Sequence, residues 1–225
     1  SMISPAMAFG PGQEAWYRFQ VSPFSDVILL NTNAGGWLNG YNTAYEPNTP
    51  VLGKFESAHA FIACDLPPGY IEMFFIVINI ARRTGVMYRI TDELELIGPT
   101  EVELVPVAGE AIEGPTIDEF VDSQVTPQAW YDFQTQPYAD IVHLNDELKP
   151  WLWGWVEAAS SCYPAPVLGY YHAGRFYMGW DYIDNMGCYE ISFWAGTVKT
   201  RDGYFTRTID GISWVGPEYF WLDPV

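Results

Sequence analysis

Basic residues are scarce in this chain. Ten Lys and Arg stand against 28 Asp and Glu, a formal net charge of −18 over 225 residues. Phosphate binding needs clustered Lys and Arg, so nucleic acid is excluded as the main partner. An anionic membrane surface is disfavoured for the same reason. Long apolar runs are also missing. The longest, Met73 to Ile80, is too short to span a bilayer and is broken by Asn79. Cysteine is limited to Cys64, Cys162 and Cys188. An odd count without CxxC spacing is neither a disulfide framework nor a zinc knuckle, so free thiols in or near a core are expected, with a Cys162–Cys188 bridge left open. His59, His143 and His172 are isolated, without HExxH spacing, and no GxSxG, P-loop or dinucleotide fingerprint exists. No DxDxDG loop marks a calcium site. No catalytic residue, metal or cofactor is therefore expected.

What is present is apolar and aromatic. Hydrophobic residues make up 49% and aromatics 17%, with 10 Trp, 15 Tyr and 13 Phe, enough for a globular protein with a sizeable core. Gly (20) and Pro (17) predict many turns. Ser1 ahead of Met2 reads as a remnant of cloning, which makes Met2 the expected native start. Residues 3–12 have no basic or long apolar stretch, so no signal peptide is expected. The expected location is the cytoplasm, or a particle assembled there.

An internal repeat organises the chain. Ala15-Trp16-Tyr17-Arg18-Phe19-Gln20 recurs as Ala129-Trp130-Tyr131-Asp132-Phe133-Gln134. Pro50-Val51-Leu52-Gly53 recurs as Pro166-Val167-Leu168-Gly169, and Asp65 aligns with Asp181. Glu72, Phe75, Arg83, Gly85 and Arg89 align with Glu190, Phe193, Arg201, Gly203 and Arg207, and Gly98-Pro99 with Gly216-Pro217. The reading is an N-terminal extension (1–14), copy one (15–107), an acidic linker (108–128) and copy two (129–225). Trp16 and Trp130, in the same frame, are expected to be equivalent core anchors.

Within a copy the pattern is strand-like. Trp16 to Gln20, Val27 to Asn31, Phe55 to Cys64, Tyr70 to Ile80 and Val86 to Ile90 are rich in aromatic and aliphatic residues between turn formers. Glu101-Val102-Glu103-Leu104 alternates as a half-buried strand does. No long helix is indicated. The predicted fold class is all-β, two tandem copies of an antiparallel β-sandwich or small β-barrel.

Positions that differ between the copies are candidates for function. Copy one has Trp16 and Trp37, whereas the other eight of the 10 Trp lie in copy two. Trp153 stands for Asn39, Trp180 for Cys64 and Trp221 for Glu103, with Trp214 and Tyr219 near the last. The densest cluster is Trp151-Leu152-Trp153-Gly154-Trp155, whose indoles share one side of a strand. The candidate binding residues are Trp151, Trp153, Trp155, Tyr170, Tyr171, Trp180, Tyr182 and Asp184. Aromatic stacking with Asp and Asn hydrogen bonds suits a neutral glycan, and the same row suits a protein partner or self-association; Trp rows also fill cores and domain interfaces. A non-catalytic binding or structural module is therefore expected, in the style of a carbohydrate-binding module or a virus-particle accessory protein. The alternative is a polysaccharide-acting hydrolase using Asp181, Asp184 or Glu157 beside the Trp row. Asp181 has a counterpart in Asp65, which favours a structural role for it.

Overall fold

The computed structural model describes residues 16–32, 36–67, 71–107, 130–157, 164–183, 189–209 and 213–225, with only the backbone at some strand ends, Trp16, Trp130 and Tyr182 among them. The expected extension and linker, Cys162 and Cys188, and Asp184 lie outside the described residues. So do the side chains of Trp16 and Trp130, although both backbones occupy the same register, opposite Asn31 and Asn145.

Copy one forms β1 (Trp16–Ser22), β2 (Val27–Thr32), β3 (Trp37–Asn42), β4 (Thr49–Glu56), β5 (His59–Asp65), β6 (Ile71–Asn79), β7 (Thr84–Thr91) and β8 (Leu96–Pro106). Copy two forms β9 (Trp130–Gln136), β10 (Ile141–Asn145), β11 (Trp151–Glu157), β12 (Ala165–His172), β13 (Arg175–Ile183), β14 (Tyr189–Thr197), β15 (Asp202–Ile209) and β16 (Ser213–Pro224). Each set is an antiparallel meander in which the last strand pairs with the first and closes a barrel. The described residues hold no α-helix, and no helix is long and apolar enough to cross a membrane.

Small closed barrels need strands that coil tightly, and the sequence supplies glycine where neighbouring backbones meet. A Cβ at Gly40 would sit 1.7 Å from the Leu29 carbonyl oxygen, and one at Gly154 1.8 Å from that of His143. The repeated arginines serve the fold. Arg83 and Arg201 both adopt φ 56 in equivalent turns, and the guanidinium groups of Arg89 and Arg207 lie over the equivalent rings of Phe24 and Tyr138. Asp65 and Asp181 are both buried.

Two structural corrections apply to the expected strands. The segment Phe55 to Cys64 is not one strand: Ser57 (φ 51) and Ala58 (φ 67) make a tight hairpin between β4 and β5. β3 is a strand in addition to those expected, and its Gly40 marks a close approach to the β2 backbone.

β5 and β6 are buried on both faces. Ala60, Ile62, Cys64, Phe74, Ile76 and Ile78 fill the interior of barrel one. Phe61, Ala63, Met73, Phe75 and Val77 point outward into a second cluster, which barrel two shares through Trp151, Leu168, Tyr170, Tyr177, Ile191 and Phe193. This double burial explains the unbroken apolar run of β6. Continuing the repeat alignment places Phe61 on Tyr177, Ala63 on Gly179 and Phe75 on Phe193. Those equivalent residues meet each other. Phe61 stacks on Tyr177 at 3.8 Å and 3°, and Phe75 on Phe193 at 5.9 Å and 7°. Trp37 meets Phe193 edge-on at 6.3 Å, and its equivalent Trp151 meets Phe75 at 6.2 Å. The barrels therefore pack through the same patch on each, in the manner of an isologous dimer joined into one chain.

Candidate binding surfaces of copy two

The predicted site residues do not stay together. As expected for a strand, Trp151, Trp153 and Trp155 leave the same side of β11, while Leu152 and Val156 enter the barrel interior. That outer side is the one facing barrel one. Trp151 is only 8% exposed, with its ring 4.7 Å from Tyr88 and 5.0 Å from Tyr170. Trp153 packs against the same inter-barrel cluster, and so does Trp214. Tyr170 is buried there too. The indoles of Trp151 and Trp153 thus form no exposed row, because the covering surface is the chain's own first copy.

Trp180 lies inside barrel two, 4.2 Å from Trp194, which in turn stacks on Phe205 at 4.3 Å. Barrel one has Cys64, Ile76 and Met87 at the matching positions. Two of the extra tryptophans therefore replace an aliphatic interior with an aromatic one. Tyr171 lines a cavity at the end of barrel two. The Tyr182 side chain and Asp184 lie outside the described residues.

Trp155, further along the same strand, stacks on His143 at 4.7 Å and 25°. His143 is not isolated in space: its Nδ1 lies 2.6 Å from Asp132 Oδ1 and its Nε2 3.4 Å from Glu157 Oε1. These residues are neighbours across β9 to β11 but distant in sequence, so no local spacing reveals them. Barrel one has Arg18, Leu29, Tyr41 and Thr43 in their places. No group of three or more metal-ligating side chains occurs among the described residues.

Among the described residues, the most exposed aromatic surface lies elsewhere on copy two. Phe220 and Leu222 of β16 enter the barrel, so Tyr219 and Trp221 face out. Tyr219 pairs in register with Tyr204 of β15, and Trp221 pairs with Asp202 on one side and Gln136 of β9 on the other. Tyr204 is 52%, Tyr219 50% and Trp221 40% exposed. The rings of Tyr204 and Tyr219 are 5.7 Å apart, and those of Tyr219 and Trp221 6.1 Å apart. Asp202 fixes this surface from its edge. It accepts hydrogen bonds from the Thr200 hydroxyl and, at 2.9 Å, from the Tyr219 hydroxyl. Those two bonds, Thr200 first, hold its carboxyl below the usual range. Barrel one has Thr84, Val86, Glu101 and Glu103 at the matching positions. The exchange of Glu103 for Trp221 was visible in the repeat. Tyr204 was missed, and the outward register of Glu101 and Glu103 was the signal that locates all three.

Comparison with protein-family models, curated proteins and solved structures finds no match.

Proposed function

We propose that the chain is a non-catalytic binding protein in which copy two carries the recognition surface, and that this surface takes a neutral glycan. The observation behind the reading is the adjacent, exposed trio Tyr204, Tyr219 and Trp221 on a barrel whose sister has Val86, Glu101 and Glu103 there. A contiguous aromatic patch is costly to leave in water. Sugars offer apolar C–H faces to aromatic rings and hydroxyl groups to neighbouring acceptors, and Asp202 and Gln136 border the rings. A net charge of −18 repels anionic partners, which favours a neutral ligand. The place of action is the cytoplasm or a particle assembled there.

The hydrolase alternative asks for two carboxylates in one cleft beside the Trp row. Of the candidate carboxylates, Asp181 is buried and Glu157 lies 3.4 Å from His143 Nε2, while Asp184 lies outside the described residues, so binding without catalysis is the reading we carry forward.

The test is electrophoresis through gels containing soluble starch, galactomannan or hydroxyethylcellulose. The unmodified chain should be retarded in at least one. Tyr219→Gln with Trp221→Gln, which removes both rings without setting a carboxylate opposite Asp202, should abolish the retardation and cost no more than about 1 kcal/mol, the worth of the one surface hydrogen bond that Tyr219 gives up. Absence of retardation in any gel contradicts the glycan reading. A dimer in light scattering that the double variant dissolves assigns the patch to self-association instead.

A further inference from the structure

The open end of barrel two encloses a cavity of about 570 Å³ that the glycan reading does not use. Its size falls within the usual range for small-molecule sites, and barrel mouths are common places for them. The floor is apolar, formed by Leu144, Leu152, Phe176, Met178 and Leu222. Exposed Asp132, Arg201 and Val225 stand at the rim, so the cavity reaches solvent.

One charged pair interrupts the apolar lining. The turn between β10 and β11 is held by the Asn145 side chain, which accepts from Glu147 N at 2.9 Å, and by Trp151 N donating to Leu148 O at 3.0 Å. It delivers Asp146 and Lys149 to the mouth. Asp146 is 1% exposed, and Lys149 Nζ lies 2.7 Å from its Oδ2. Asp146 Oδ1 is buried and has no hydrogen-bond partner among the described residues. A buried carboxylate oxygen without a donor is costly, so a donor is missing from this site. At the matching positions copy one has Thr32 and Gly35, while Tyr171 and Phe176 stand for Phe55 and Ala60. The pair and the wider aromatic lining are therefore particular to copy two.

We infer that this cavity binds a small apolar alcohol, whose hydroxyl donates to Asp146 Oδ1 while its hydrocarbon body fills the floor. The Asp146–Lys149 pair is neutral as a unit. A carboxylate head would face Asp146, and an ammonium head would face Lys149 and Arg201, so an uncharged donor fits best. The Tyr171 ring, 5.8 Å from Lys149 Nζ, borders the same entrance.

The experiment is displacement of the neutral fluorophore N-phenyl-1-naphthylamine from the full chain by 1-decanol, decane or decanoate. 1-Decanol should act at a concentration about tenfold lower than decane, the preference expected of one hydrogen bond to a charged acceptor, and decanoate should be the weakest. Asp146→Asn should shrink the alcohol preference to less than about threefold. Trp221→Ala should leave displacement unchanged, which separates this site from the glycan surface. No uptake of the fluorophore, or equal potency of 1-decanol and decane on the unmodified chain, overturns the inference without recourse to any variant.

Discussion

At the scale of single residues, the inter-barrel contact is decided where the repeat meets itself. A Cβ at Gly179 would lie 2.3 Å from Ala63 Cβ and 3.3 Å from Met73 Cε. Only one methyl fits at this point, and copy one holds it. Gly179→Ala should destabilise the protein by about 1–3 kcal/mol through overpacking. Adding Ala63→Gly should recover most of the loss, because the methyl then moves across the contact. Denaturant unfolding of the two single variants and the double variant checks this, and additive costs would contradict it. A second contrast lies at two related corners. At one, Arg175 Nε is 3.3 Å from Glu56 Oε2, and the Tyr177 hydroxyl donates to that oxygen at 2.8 Å. At the other, the equivalent residues are His172 and His59, with rings 5.0 Å apart. Burial lowers the pKa of both histidines, His59 lowers that of His172 further, and Glu56 opposes the latter shift. Lys54 and Arg175 add positive charge near Glu56. Since both folded-state values lie below the ordinary histidine value, the unfolded chain takes up protons first as pH falls. The stability contribution is therefore complete above that value and is lost as pH drops through it. Between about pH 7.5 and about pH 5.5 the melting temperature should fall more steeply than in His172→Gln. Parallel profiles would contradict the assignment.

At the scale of elements, strand chemistry was legible where alternation was clean and hidden where both faces are buried. Glu101 to Leu104 alternates, and β8 presents Val102 and Leu104 inward as expected. By contrast β5 is buried throughout, so Phe55 to Cys64 offered no period to break it. The hairpin there uses Ser57 and Ala58 at positive φ, where Asn and Gly would be the readable choice. Copy two carries the clearer signal, since the matching residues are Ala173 (φ 48) and Gly174 (φ 76). Left-handed backbone disfavours residues with a Cβ, so Ser57→Asn with Ala58→Gly should raise stability by about 1 kcal/mol. A lower midpoint in chemical denaturation would show that these side chains do more than turn the chain.

At the scale of the whole molecule, the repeat made two like all-β domains legible, their closure into barrels being the structure's choice between sandwich and barrel, and comparing the copies pointed to copy two. Which aromatic residues are free was not legible. Trp151 and Trp221 look alike in sequence, yet one is covered by residues of barrel one that carry no local signal of docking. The surplus tryptophans have divided roles: Trp180 and Trp194 fill an interior, Trp151, Trp153 and Trp214 join the barrels, and Trp221 faces water. The central claim is that recognition belongs to the last of these. The most direct measurement is the set of indole N–H resonances of the 10 tryptophans, with Trp221 assigned through Trp221→Phe, recorded as the retarding polysaccharide's oligosaccharides are added. The account predicts that the Trp221 signal moves while those of Trp151, Trp180 and Trp194 stay in place. Movement confined to Trp151, Trp153 or Trp155, with Trp221 unchanged, would contradict it.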